Sequence, residues 1–231
     1  MASHPIYQFR AELKDYRPKM WRRFQVMNNM TMARLGYAIM AMYGMDGAHL
    51  FCFDMERTGS QPEGRLPDGL VVSSKIMTSG PQNWRFEIIS NELDMPFVGK
   101  NERIFDVMES KVRDVISVPK EKMVFTYDLG DEWMIDITLE EIIEDKELPG
   151  TKLPRVLDGE GSGIIEDCGG VHGLANIARA FKEKSGKNYE MYRNWLGKEE
   201  LDLETLDVNI LNFGMKSMTQ SLAFFYNEAF R

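Results

Sequence analysis

The stretch IYQFRAELK, residues 6–14, sets Tyr7, Phe9, Ala11 and Leu13 on one face at a period of two, with Gln8, Arg10 and Glu12 between them. That alternation is what a half-buried β-strand requires. Asp15 and Pro18 supply turn chemistry. In the run that follows, Met20, Arg22, Phe24 and Val26 fall on one side, so the opening of the chain reads as a hairpin. Thr31 can cap a helix from Met32 to about Tyr43, with Met32, Leu35, Ile39 and Met42 as its stripe and Gly44 placed to end it. A strand over Ala48–Asp54 comes next. Strand, strand, helix and strand in that order predict an α+β fold with a mixed, mainly antiparallel sheet covered by helices.

Beyond this unit the pattern is broken by Gly59, Pro62, Gly64, Pro67 and Gly69. The segment 56–83 is therefore expected to be a mobile insertion in which only Leu70–Val72 looks strand-like. A strand is expected over Trp84–Ile89. Asn101 then caps an expected helix in which Ile104, Met108, Val112 and Val115 form a stripe ending before Pro119. The segments 123–128 and 132–139 flank Leu129, Gly130 and Asp131, which predicts a hairpin with Gly130 taking any positive φ. An acidic run (140–147) and a turn-rich stretch (149–170) lead to three expected helices near 171–184, 189–196 and 216–230. Met215, Met218, Leu222, Phe225 and Ala229 line the last of them. That stripe either closes the core or meets a second chain as a homodimer contact. One domain is expected over residues 1–212, with a C-terminal helix over 213–231, because the second hairpin alone has too few neighbours to stand by itself.

Composition narrows the function classes. Of 231 residues, 43% are hydrophobic and 28% charged, as in ordinary globular proteins. Acidic residues outnumber basic ones 36 to 28, a net −8 that disfavours a general nucleic-acid coat. No apolar run approaches the roughly 18 residues of a membrane span, and the polar start lacks a signal peptide's apolar stretch. With only Cys52 and Cys168 there is no disulfide framework, so the expected compartment is the cytoplasm. Eight of the 17 methionines lie between Met20 and Met55 and read as core filling.

Five short motifs occur in a fixed order: YQF at 7–9 with RPKMWRR at 17–23, HL at 49–50 with Phe53, YDLGDEW at 127–133, EDCGG at 166–170 and WLG at 195–197. Together they resemble the plasmid pRi ORF-three-like family, also labelled the insertion-element passenger, TnpR-like family. The resemblance spans about 6–54 and 84–212. It implies a compact α+β domain and a gene neighbourhood among mobile elements, and it implies no particular reaction. Phe51, Ile135, Ile164 and Ile165 stand where the family pattern has two histidines and two prolines. Chemistry resting on those histidines is not carried over.

The candidate site is a pair of acidic motifs: Asp128, Asp131 and Glu132 beside Trp133, and Glu166, Asp167, Cys168, Gly169 and Gly170. Two turn-borne carboxylate groups could bind a divalent cation such as Mg²⁺ or Ca²⁺, or divide acid and base roles. The plainer reading, which takes precedence, has Asp128 and Asp131 bonding their own turn and Asp167 capping the next helix. Cys168 with His172 four residues on could form a nucleophile pair, but a small buried thiol is the better reading. Only His4, His49 and His172 are available, with no CxxC or HExxH, so zinc is not expected. In the first 35 residues seven basic side chains face two acidic ones, a net +5, whereas residues 101–170 carry 18 acidic and eight basic, a net −10. Arg17, Trp21, Arg22 and Arg23 could therefore meet nucleic acid, a reading ranked below solvation and pairing within the fold. The leading expectation is a cytoplasmic binding module for a protein or small ligand. The alternative is a metal-assisted hydrolase or nuclease using Asp128, Asp131, Glu166 and Asp167.

Overall fold

Strands β1 (Ile6–Leu13) and β2 (Trp21–Met27) pair antiparallel with Phe9 opposite Phe24, as the alternation requires. Tyr7, Phe9, Ala11 and Leu13 are all buried. In this computed structural model the described residues are 4–57, 64–65, 71–72, 81–89 and 101–230. Most of the expected insertion at 56–83 lies outside them, Leu70 included; Gly64–Arg65 (β4) and Val71–Val72 (β5) form a two-stranded ladder.

Helix α1 (Met32–Tyr43) begins where Thr31 Oγ1 accepts the Arg34 amide and ends at Gly44, whose φ of 73° lets its amide reach the Met40 carbonyl. The expected stripe understates its burial, since Arg34 alone of its twelve residues is not buried. A helix apolar on nearly every side must lie between layers. The sheet covers one side of α1, with Gly36 so close to Phe51 that an added Cβ would sit 2.6 Å from the ring. The C-terminal helix α5 (Val208–Phe230) packs against α1.

Strand β3 (Phe51–Arg57) starts three residues later than expected. Next come β6 (Gln82–Glu87), β7 (Glu102–Asp106), the one-turn helix α2 (Val112–Val115), β8 (Lys122–Tyr127), β9 (Trp133–Ile143) and β10 (Arg155–Glu160). Helices α3 (Gly170–Glu183) and α4 (Gly186–Leu196) precede α5. Among the described residues this is an α+β fold with an eight-stranded sheet in the order β10-β2-β1-β9-β8-β3-β6-β7, antiparallel except for β6–β7.

Four expectations are corrected. The helix from Asn101 is instead β7 followed by a turn and α2. Phe105, off the proposed helical stripe, is buried against Trp84 and stacked on Phe86 at 5.1 Å, and the parallel ladder to β6 outweighs the helical spacing. The turn-rich stretch contains β10, an edge strand on β2 that local sequence did not signal. The positive φ in the second hairpin falls on Asp128 (56°) and Glu132 (49°), not on Gly130. Helix α5 begins at Val208, and its inward face is Met215, Thr219, Leu222 and Tyr226, whereas Met218 and Phe225 are exposed.

Candidate functional site

The segment after α1, the β8–β9 turn and the loop before α3 meet at one end of the sheet, in front of β3. Asp128 is fixed first: its amide donates to the Leu50 carbonyl (3.0 Å), and its Oδ1 accepts the Gly130 amide (2.9 Å). Asp131 does not close its own turn. Its Oδ2 accepts the Gly169 amide (3.2 Å), placing a carboxylate at the start of α3, where the helix dipole favours negative charge. The Asp131 carbonyl lies 2.5 Å from where a Cβ on Gly170 would stand, and Gly170 has φ 66°, so both space and backbone call for glycine there. Hairpin and loop thus interlock through Asp131, Gly169 and Gly170. Glu132 is exposed at the turn, and Trp133 is fully buried beneath it.

Glu166 reaches further in. Its Oε1 accepts the Asp46 amide (2.7 Å) and lies 3.0 Å from the Tyr127 hydroxyl, which is 3.3 Å from Asp46 Oδ1 and itself accepts the Gly47 amide (3.1 Å). Burial raises the Glu166 carboxyl above its ordinary range, and the neighbouring Asp46 adds to the effect. Burial also works to raise Asp46, but hydrogen bonds from the Ala48 amide, Glu166 and Tyr127 outweigh it and hold that carboxyl low. The two neighbouring carboxyls are therefore shifted in opposite directions, Glu166 up and Asp46 down.

His49 stands in front of this pair. Its Nε2 is 3.7 Å from Asp128 Oδ2, 3.8 Å from Glu166 Oε2 and 3.9 Å from Asp167 Oδ1, and its ring meets the Tyr127 ring edge-on. Asp167 is 79% exposed at the mouth, while Asp128 and Glu166 are largely enclosed. The Tyr226 hydroxyl of α5 donates to the His49 carbonyl, fixing the start of β3. The result is an acidic recess with four carboxyl groups, Asp46, Asp128, Glu166 and Asp167, around one imidazole.

Cys168 is half-buried, and its thiol contacts the Gly170 carbonyl (3.5 Å). Burial and then the Asp131 charge push it up to about 11, opposite to what a nucleophile needs. Among the described residues, no group of three or more His, Cys, Asp or Glu side chains is placed to hold a metal ion. The carboxylates surround His49 rather than a common point.

The basic hairpin is placed differently. Arg22 is fully buried, donating to the carbonyls of Met42 (3.2 Å), Trp21 (2.8 Å) and Glu160 (2.6 Å). Arg23 forms a two-pronged pair with Glu140 (2.6 and 3.0 Å), and Arg17 bonds the Tyr16 carbonyl (2.6 Å). Trp21 lies under the Arg10 guanidinium at 3.9 Å. On the sheet face opposite Phe125 and Ile137, a groove of about 570 Å³ is lined by Asp54, Arg57, Lys120, Glu121, Lys122 and Asp136 among others. Its charges are mixed and pair locally, as in Arg57–Glu121 (2.8 Å) and Arg85–Asp54 (2.9 Å).

The sequence reading named one wall of the recess and missed the other. Local sequence does not single out Asp46, and it reads His49 as a hydrogen-bonded core or rim residue rather than a ligand. The available signal was the Asp46-Gly47 turn pair directly after the helix stop, with His49 close behind.

Residues 5–210 match the model of the plasmid pRiA4b ORF-3-like protein family, so the chain belongs to that family. No curated protein matches the chain. One crystal structure that it resembles is of a protein of unknown function from Methanosarcina mazei Go1, with a TM-score of 0.64 and 23% identity, covering 89% of this chain and 96% of that one. At that identity the likeness shows the fold alone.

Proposed function

We propose that this member of the plasmid pRiA4b ORF-3-like family is a cytoplasmic binding module whose acidic recess takes a cationic group, an ammonium or guanidinium, of a small ligand or a partner protein. One observation carries the reading: His49 faces Asp128, Glu166 and Asp167 at 3.7–3.9 Å, with Asp46 behind, so a single imidazole stands against four carboxyl groups. Carboxylates clustered at a half-open rim recover interaction energy when a cation joins them, because partial burial lowers the screening there. Interlocked turns on a rigid sheet are where binding groups are commonly carried. The cytoplasmic location is supported by the two free thiols, Cys52 and Cys168. No helix among the described residues is long and apolar enough to cross a membrane. A link to mobile elements rests on the family's plasmid name and on no residue of the recess.

The metal-assisted hydrolase or nuclease has less behind it. Asp131 is turned to Gly169, away from the other carboxylates, and His49 occupies the space they share.

The test is a thermal melt with arginine amide, spermidine and Mg²⁺, in the native protein and in Asp167→Asn. A ligand at about 100 times its Kd adds about 2.7 kcal/mol of stability. The organic cations are expected to raise Tm, and the shift to shrink in the variant, whose changed side chain is exposed and leaves the fold intact. Equal shifts in both proteins, or none with either organic cation, would overturn the reading.

A further inference from the structure

We infer that α5 is a dimerisation element, and that a second copy of this chain covers its outward face in an antiparallel, two-fold helix pair centred on Ser217. The helix has two apolar faces. Met215, Thr219, Leu222 and Tyr226 are buried toward the domain. On the opposite side, Ile210 is 72% exposed, Phe213 93%, Phe224 69% and, at its edge, Phe225 50%. Ile210, Phe213, Ser217 and Phe224 fall at i, i+3, i+7 and i+14, one side of an α-helix. With Phe225 and Met218, this face exposes on the order of 700 Å² of apolar side chain, near the ~800 Å² per partner of a standard stable interface.

Two features select a second copy as the occupant. The first is self-complementarity, which a two-fold contact demands. A two-fold axis at Ser217 sets Phe213 of one copy opposite Ser221 of the other and Ile210 opposite Phe224, large against small at the former and apolar against apolar at the latter. Ser217 itself meets Ser217, so the helices can approach closely where they cross. A groove of about 330 Å³ lies alongside, lined by Met45, Ser217, Met218, Leu222 and Phe225 among others, with Asp46 at one wall, and has room for an aromatic ring from the facing helix. The second is charge. The chain carries a net −8, which opposes self-association over most of its surface, yet Lys216 and Glu228 are the only charged side chains between 208 and 230. The outward face is where two such molecules can meet with little like-charge contact. Most of α5 lies beyond the family match, which ends at residue 210.

Light scattering on the full chain at micromolar concentration tests this directly. The native protein is expected at twice its 26.7 kDa mass, and Phe213→Glu with Phe224→Glu at the single mass with an unchanged circular-dichroism spectrum. Ser217→Cys, oxidised, is expected to give a covalent dimer, because the axis sets the two positions face to face. A monomeric native protein, a folded double variant that still dimerises, or a dimer that Ser217→Cys does not cross-link would each overturn the inference.

Discussion

Two basic side chains flank the C-terminal end of α1, and their surroundings are opposite. Arg22 is fully buried and has carbonyls for partners: Met42, Trp21 and Glu160, with the Tyr43 ring 4.9 Å from its guanidinium. His49 lies half-exposed with the side chains of Asp128, Glu166 and Asp167 at 3.7–3.9 Å. At Arg22 the cost of burying a charge is offset by carbonyl dipoles, including one from the last turn of α1, where the helix dipole favours a cation. Burial still works to lower its guanidinium's proton affinity, and its Nη2 finds no hydrogen-bond partner among the described residues. A cation held by neutral backbone joins β2, α1 and β10 into one body. Around His49 the acidic groups outnumber the base at a rim that solvent reaches, and Asp128 and Glu166 also hold backbone amides there. Charge alone therefore does not separate the two places; what separates them is whether the charge is compensated within the fold.

The largest effect that would test this contrast is expected at Arg22. Arg22→Met leaves three carbonyls without their donor, and the expected loss is about 3–5 kcal/mol in urea unfolding. A loss under about 1 kcal/mol would show that the guanidinium is not the tie between these elements. Next comes Gly170→Ala, which places a Cβ against the Asp131 carbonyl at a left-handed φ. About 2–3 kcal/mol of destabilisation is expected, together with loss of any cation-dependent rise in Tm. If that rise survived in a destabilised Gly170→Ala protein, the hairpin–loop interlock would not be what shapes the recess.

The smallest effect is the pH response of the Glu166 and Asp46 pair. Glu166 has a raised folded value, so its contribution to stability is complete below its unfolded value and is lost as pH rises through the folded one. Asp46 has a depressed value, so its contribution is present above its unfolded value and lost as pH falls through the folded one. Urea midpoints are expected to decline above the ordinary glutamate range in the native protein, and to lack that decline in Glu166→Gln. The same decline in both proteins would show that Glu166 is not the group that titrates.

Where local rules were strong, the sequence was legible. Thr31, Gly44 and the apolar residues between them predict α1 from Met32 to about Tyr43, where it lies, and the alternation in β1 predicts its buried face. Arg22 shares one side of the 20–26 stretch with Met20, Phe24 and Val26, and that side is buried, which rules out the nucleic-acid contact the basic run suggests for it. The reading failed where the deciding partner lay far along the chain. Glu102–Asp106 has spacing compatible with a helix, and the ladder from β6 makes it a strand. Arg155–Glu160 became a strand because β2 offered a free edge.

The same division runs through the candidate site. Sequence alone determined that carboxylates sit on turns at 128–132 and 166–167, that glycines follow them, and that the chain is acidic and poor in cysteine. Those are properties of composition and of contacts within a few residues. That Asp46, His49, Tyr127, Asp128 and Glu166 form one recess was decided by the tertiary structure. They come from segments as much as 120 residues apart, and only the completed sheet brings their ends together.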